Sequence, residues 1–172
     1  MEIEIKGYKV LIDDEDWERV KQYSWTLDNA YLQREGIPYF RATVPNGGKG
    51  ETVRLHRVIM GCIYKDGTHV DHINHDTLDN RKHNLRVVSP RENKWNQTVR
   101  KDNISGYKGV SYKKVIGKYV VRIQYGGKRY NIGTFNDPIE AAKVYDRKAL
   151  EVFGEFAYTN FPKNNYIKGA TN

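Results

Sequence analysis

Cysteine is almost missing from this chain of 172 residues. Cys62 is the single one, so no disulfide can close within the chain, and a closed zinc site of the multi-cysteine ribbon or finger type is excluded. That scarcity favours an intracellular setting. Long apolar runs are missing too. The opening MEIEIKGYKV alternates charged with apolar groups, and no signal peptide or membrane span can be drawn on it. A soluble protein without a membrane partner is expected. There is no internal repeat and no low-complexity tract.

Positive charge is present in excess, but in only one part of the chain. The net charge is +8; residues 1 to 97 carry 15 Lys+Arg and 15 Asp+Glu, whereas residues 98 to 172 carry 14 and 6. The whole surplus therefore lies after Thr98. A positive field so confined suits a polyanion, because each lysine or arginine that neutralises a phosphate releases condensed counterions. An ordinary solvated basic surface is the alternative. The length fits two small modules, each with a modest core.

The second module is the more legible. SGYKGVSYKKVIGKYVVRIQYGGKRYNIGTF, from Ser105, reads as three strands in a meander, with turns near Ile116 to Lys118 and at Gly126-Gly127. Tyr119, Val121, Ile123 and Tyr125 alternate with Val120, Arg122 and Gln124; in the third strand Tyr130 and Ile132 alternate with Arg129 and Asn131. A helix follows, with Asp137 as N-cap, Pro138 at its first position, Glu140 where a capping-box carboxylate belongs, and Gly154 as its stop. Its stripe of Ala141, Ala142, Tyr145, Ala149 and Val152 would let it lie close on the apolar sheet face. The opposite face would display Lys108, Lys113, Arg122, Gln124, Arg129 and Asn131, side chains able to reach phosphates and base edges in a major groove.

YKGVSY, the R-I-Q strand, NIGTF, EAAKVYDRKAL and FGEFAYTNFP resemble the DNA-binding domain of plant ethylene-response factors. The resemblance implies that the sheet reads duplex DNA through Lys108, Ser111, Lys113, Arg122, Gln124, Arg129 and Asn131. Ser111, Arg122 and Asn131 depart from the plant pattern, which has arginine, glutamate and tryptophan there. The docking mode carries over; the plant target sequence does not.

A second informative region spans residues 56 to 96, which hold all five histidines and five asparagines. Thr68 to His72 and Leu85 to Val88 read as short strands, and Ser89-Pro90-Arg91-Glu92 as a capping box opening a helix. This order sets Asp71 and His72 at a strand end and Asn93 in the first helical turn. Oxygen ligands from both elements then suit one magnesium ion (or manganese), while His72, on the other side of the strand, could take a proton from an attacking water. His56 fits a packing role, and His69, His75 and His83 fit loops or phosphate contacts. Their spacing matches no familiar zinc motif.

H-R-x-I-M-G, V-D-H-x-N, D-N-R-x-x-N-L-R and E-N-x-x-N, within residues 50 to 97, resemble the HNH nucleases of phage and intron homing endonucleases. The resemblance implies His72 as general base, Asp71 and Asn93 as metal ligands, and Asn84 as a brace for the loop between strand and helix. Asn96, one helical turn on, is a rival ligand.

Residues 1 to 50 read as a strand at KGYKVLID, a short acidic helix at DDEDWERVKQY, a strand at PYFRATV and a glycine-rich turn. Trp17, Trp25 and Tyr39 are expected in a small core. The expected fold class is α+β: a ββα-metal HNH nuclease domain (1–97, motif core 50–97), a linker (98–104), a three-stranded antiparallel sheet packed on one helix (105–162) and a tail (163–172). The expected function is that of a monomeric, magnesium-dependent, site-specific DNA endonuclease nicking one strand of double-stranded DNA per binding event, in the cytoplasm of a bacterial or phage-infected cell. A sequence-specific DNA-binding regulator on an inactive nuclease scaffold is the alternative. A nonspecific nuclease is a third reading, one that gives a dedicated reader module little purpose.

Overall fold

The N-terminal alternation folds back at Lys6-Gly7, where both residues take positive φ, 52° and 82°, the conformation a tight two-residue hairpin needs. The hairpin joins β1 (Glu2–Ile5) to β2 (Tyr8–Leu11), antiparallel. The computed structural model of the protein describes residues 1–46, 49–62 and 67–166. Gly47 and Gly48 of the expected glycine-rich turn, residues 63–66 of the motif region and the last six residues of the tail lie outside those described. The chain divides into two compact units, Met1–Asn93 and Lys94–Asn172.

In the first unit the acidic stretch forms a 3-10 turn (Asp14–Asp16) and the short α1 (Trp17–Val20). Next come β3 (Thr26–Leu27) and α2 (Asn29–Glu35), which the sequence reading did not anticipate. β4 (Phe40–Asn46) and β5 (Lys49–Arg54) complete a sheet in the order β3-β4-β5, and α3 (Leu55–Ile59) follows directly. β6 (His69–His72) and β7 (Leu85–Val88) make a two-stranded ribbon, and α4 (Pro90–Asn96) leaves it. Ile5, Val10, Ile12, Val20, Phe40, Leu55, Ile59, Val70 and Leu85 form the main core. Each such side chain contributes ~1.5–3 kcal/mol on burial. Trp25 packs against this core, whereas Trp17 is 37 % exposed.

The second unit contains β8 (Val110–Lys113), β9 (Lys118–Tyr125) and β10 (Lys128–Phe135), in the order β10-β9-β8, then α5 (Pro138–Phe153). The β9–β10 turn uses Gly126 and Gly127, both at positive φ. Asp137 caps α5, its carboxylate accepting from the Ile139 and Glu140 N–H groups at 3.0 and 3.1 Å. Ala141, Ala142, Tyr145, Ala149 and Phe153 are buried with Val110, Val121 and Ile123, while Val152 is only half-buried. The small alanines bring helix and sheet close, so close that a Cβ on Gly109 would fall 2.0 Å from the Tyr145 ring. A bulge in β10 between Asn131 and Gly133 keeps Phe135 opposite Tyr119 and Thr134 opposite Val120. The buried Asp146 carboxylate accepts from the Asn160 N–H and Nδ2 (both 2.8 Å), the Phe161 N–H (3.0 Å) and the Tyr166 hydroxyl (2.8 Å).

Candidate functional site

Strand alternation divides the chemistry of β6 between two faces. Val70 and His72 point into the core, at 9 % and 3 % exposure, while His69 and Asp71 share the other side.

On the outer face the ribbon register sets Asp71 opposite Arg86, whose Nε and Nη2 reach the carboxylate at 3.2 and 3.1 Å. α4 begins in a reciprocal capping box: the Ser89 N–H donates to Glu92 at 2.7 Å and the Glu92 N–H to Ser89 Oγ at 3.2 Å. These bonds hold the Glu92 carboxyl below its usual range. The next residue, Asn93, has its Nδ2 3.0 Å from His69 Nδ1. His69 thereby joins Asn93 to the strand face that carries Asp71. With its amide nitrogen turned to His69, Asn93 offers its carbonyl oxygen. A carboxylate and an amide carbonyl are hard oxygen donors, a set that fits magnesium better than zinc. Among the described residues no group of three or more histidines, cysteines and acids is placed to hold a metal. Asn96 is buried, at 3 % exposure.

On the inner face His72 sits in a cage of rings. His56 lies 5.0 Å away between centroids and Tyr39 6.0 Å, and the Arg54 guanidinium lies over the Tyr39 ring at 4.5 Å. Burial lowers the His72 pKa against the opposing effect of a 3.2 Å contact between Nε2 and Asn80 Oδ1. Burial lowers His56 much further, and His72 adds to it. Both imidazoles are held neutral. Desolvation pushes the Tyr39 hydroxyl up to about 12.

Asn84 lies just before β7. Its Oδ1 accepts from the Asn74 N–H at 3.0 Å and its Nδ2 donates to the Asp79 carbonyl at 2.8 Å. The loop it crosses joins β6 to β7, strand to strand. His75 occupies a turn at φ 66°.

In the second unit Lys113, Arg122, Gln124, Arg129 and Asn131 are exposed and Ser111 is half-buried. Register pairs Arg122 with Asn131 and Gln124 with Arg129, and sets Lys113 beside Lys118, so all of these share one face. Lys108 stands apart. Its ammonium donates to the Trp95 carbonyl at 2.6 Å and to that of Gln97, beside the Tyr158 ring, and burial lowers its pKa to about 8.

Sequence reasoning passed over Tyr39, His69, Asn80 and Arg86 as partners of the site, and Lys118 and Thr134 on the sheet face. Arg86 was within reach of the pattern, two residues after Asn84 in N-L-R. Tyr39 and Asn80 meet His72 only through tertiary packing.

Residues 53–94 match the profile of a family described as HNH endonuclease. The chain is similar to an uncharacterized HNH endonuclease of Acanthamoeba polyphaga mimivirus, 32 % identical over 160 residues, 90 % of this chain and 76 % of the viral one. It is also similar to protein 3.8 of Escherichia phage T7, 34 % identical over 61 % of this chain and 85 % of the phage protein. A third relative is an ethylene-responsive transcription factor of Arabidopsis thaliana, 41 % identical over 66 residues, 37 % of this chain and 15 % of the plant protein.

Proposed function

Because the chain belongs to the HNH endonuclease family, we propose that it is a site-specific DNA endonuclease of the homing type, one that nicks a single strand per binding event. The observation that carries this reading is the contact of Asn93 with His69, which ties the first turn of α4 to the side of β6 that Asp71 shares, with His72 the next residue along. Asp71 and Asn93 would hold one divalent cation, magnesium or manganese. When bound, that cation supplies a Lewis acid for the charge on the phosphate and the leaving oxygen. His72, neutral through burial, takes the proton of the attacking water, whose oxygen bonds to phosphorus as the bond to the leaving ribose oxygen breaks. Asn84 holds the loop beside the reacting groups.

In this reading residues 1–97 are the nuclease domain, 98–104 the linker, 105–162 an ethylene-response-factor-like reader and 163–172 a tail. The sheet β8–β10 enters a major groove with Ser111, Lys113, Arg122, Gln124, Arg129 and Asn131 toward the bases and phosphates. Lys108 reaches a phosphate only by giving up the carbonyls of Trp95 and Gln97. The exposed polar pairs across β9 and β10 support this face over the one α5 covers. Among the described residues no helix is long and apolar enough to cross a membrane.

The test is cleavage of a supercoiled random-insert library with magnesium, with chelator, and with His72→Ala, sequencing the product ends. Nicks at one motif that need both metal and His72 are expected. A DNA-binding regulator on an inert scaffold is the second reading, favoured by the 3 % exposure of His72. It is the outcome if one sequence is enriched by binding and none is cut.

A further inference from the structure

Asn80 is 1 % exposed, and its placement is over-determined by the N-terminal hairpin. The Asn80 N–H donates to the Leu11 carbonyl and the Leu11 N–H to the Leu78 carbonyl, both at 2.8 Å, so the segment before Asn80 is laid along β2. Thr77 in turn donates its hydroxyl to the Pro38 carbonyl at 2.7 Å. The side chain is oriented by the same segment. Its Nδ2 donates to the Thr77 carbonyl at 2.9 Å, and a carbonyl can only accept. The amide can then turn only one way, with Oδ1 toward His72 Nε2 at 3.2 Å. An amide oxygen also only accepts. A neutral imidazole carries one N–H and one lone pair, so the proton belongs on Nε2 and the lone pair on Nδ1.

We propose that Asn80, held by β2 and the Thr77 carbonyl, is the positioning residue that fixes His72 in the Nε2–H tautomer and so presents Nδ1 as the proton-accepting atom. The proposal rests on the reading of His72 as general base. It gives the N-terminal hairpin a place in the site: β2 holds Asn80, and Asn80 holds His72. The ring cage of His56 and Tyr39 limits the tilt of the imidazole, while the amide selects which nitrogen carries the proton. Removing the partner on the second nitrogen of a metal-ligating histidine costs about 10–100-fold in affinity or activity, and a loss of the same order is expected for a histidine that acts as base.

The experiment is nitrogen NMR of histidine-labelled full-length protein without DNA, at about pH 8 where an imidazole is neutral, with His72 assigned by its loss in His72→Gln. Nicking kinetics are measured in parallel. The native protein is expected to show His72 as Nε2–H. Asn80→Leu, of similar volume but with no acceptor, is expected to show mixed tautomers and a kcat lower by about 10–100-fold with little change in KM. Asn80→Asp keeps an oxygen facing Nε2 but gives up the donor to the Thr77 carbonyl, so it is read by its tautomer alone and is expected to keep the proton on Nε2. A native His72 in the Nδ1–H form overturns the proposal, and so does an Asn80→Leu variant with unchanged tautomer and kcat. If Asn80→Leu does not fold, the native spectrum and Asn80→Asp decide. Cleavage by His72→Gln at the native rate removes the base assignment itself, and that failure is distinct because the tautomer is read in the absence of DNA.

Discussion

His56 and His72 are buried in ring contact, and the cost of charging either one sets how the protein meets acid. Burial lowers both below the ordinary histidine value of about 6.5. Between the lowered folded value and that ordinary value the unfolded chain binds more protons than the folded one, so stability rises with pH there. The contribution is complete above about pH 6.5 and is lost as pH falls through the folded values. The melting temperature should therefore fall as pH is lowered below about 6.5, and His56→Leu should flatten part of that drop. Parallel curves for the variant and the native protein would sink the argument. The kinetic counterpart is His72→Ala, expected to lose nicking by about 10²–10⁴-fold while still binding its target. Nicking at the native rate would remove the role. At this scale the motif spacing made His72, Asp71 and Asn93 legible, since adjacent strand residues must face opposite ways and a capping box fixes where a helix begins. The environment of His72 was not legible, because Tyr39, His56 and Asn80 arrive from three separate segments.

α5 and α4 show which elements a sequence announces by itself. Asp137 and Gly154 bound α5, Ser89 and Glu92 open α4, and each cap appears as hydrogen bonds in the structure. α2 carried similar marks, since Asp28 accepts from the Tyr31 N–H and Gly36 ends it at φ 72°. Seven residues, none buried, gave no apolar periodicity to draw attention to it. The bulge at Ile132 was silent for another reason: register is settled between strands, so one strand's alternation cannot reveal an extra residue. Three variants test the caps and packing. Ser89→Ala should cost about 1 kcal/mol and loosen the turn that carries Asn93, read as a lower melting temperature with slower nicking. Gly109→Ala sets a methyl 2.0 Å from the Tyr145 ring at φ 75°, and should destabilise the second unit by about 1–3 kcal/mol in denaturant titration. Asp146→Ala leaves the Asn160, Phe161 and Tyr166 donors without their acceptor. It should cost about 3 kcal/mol or more in the same titration. Native stability in either of the last two would mean that the second unit packs differently.

At the scale of the whole chain, the charge that separated two modules in the sequence also sets how binding responds to salt. The surplus of 14 basic over 6 acidic residues after Thr98 includes Lys113, Arg122 and Arg129 on one exposed sheet face. If Lys113 neutralises a phosphate, Lys113→Ala should weaken binding alike on all sequences and reduce the slope of log K against log salt by about 1. If Arg122 reads a base edge beside Asn131, Arg122→Ala should cost about 1–3 kcal/mol on the target alone and relax preference at one position. Equal losses on target and random DNA for both variants would make the face a general phosphate binder. The same logic governs the product of the nuclease. If Asp71, His72 and Asn93 form the catalytic set proposed for them, one chain carries one set, and a strand hydrolysed there leaves its complement intact until a second set reaches it. On a supercoiled plasmid with one target, a stoichiometric amount of enzyme should therefore yield open circles first and linear molecules only later, at a rate that rises with enzyme concentration. Linear product formed in the first turnover, with no open-circle intermediate and no dependence on concentration, would require two sets acting together and would replace the monomer by a preformed dimer.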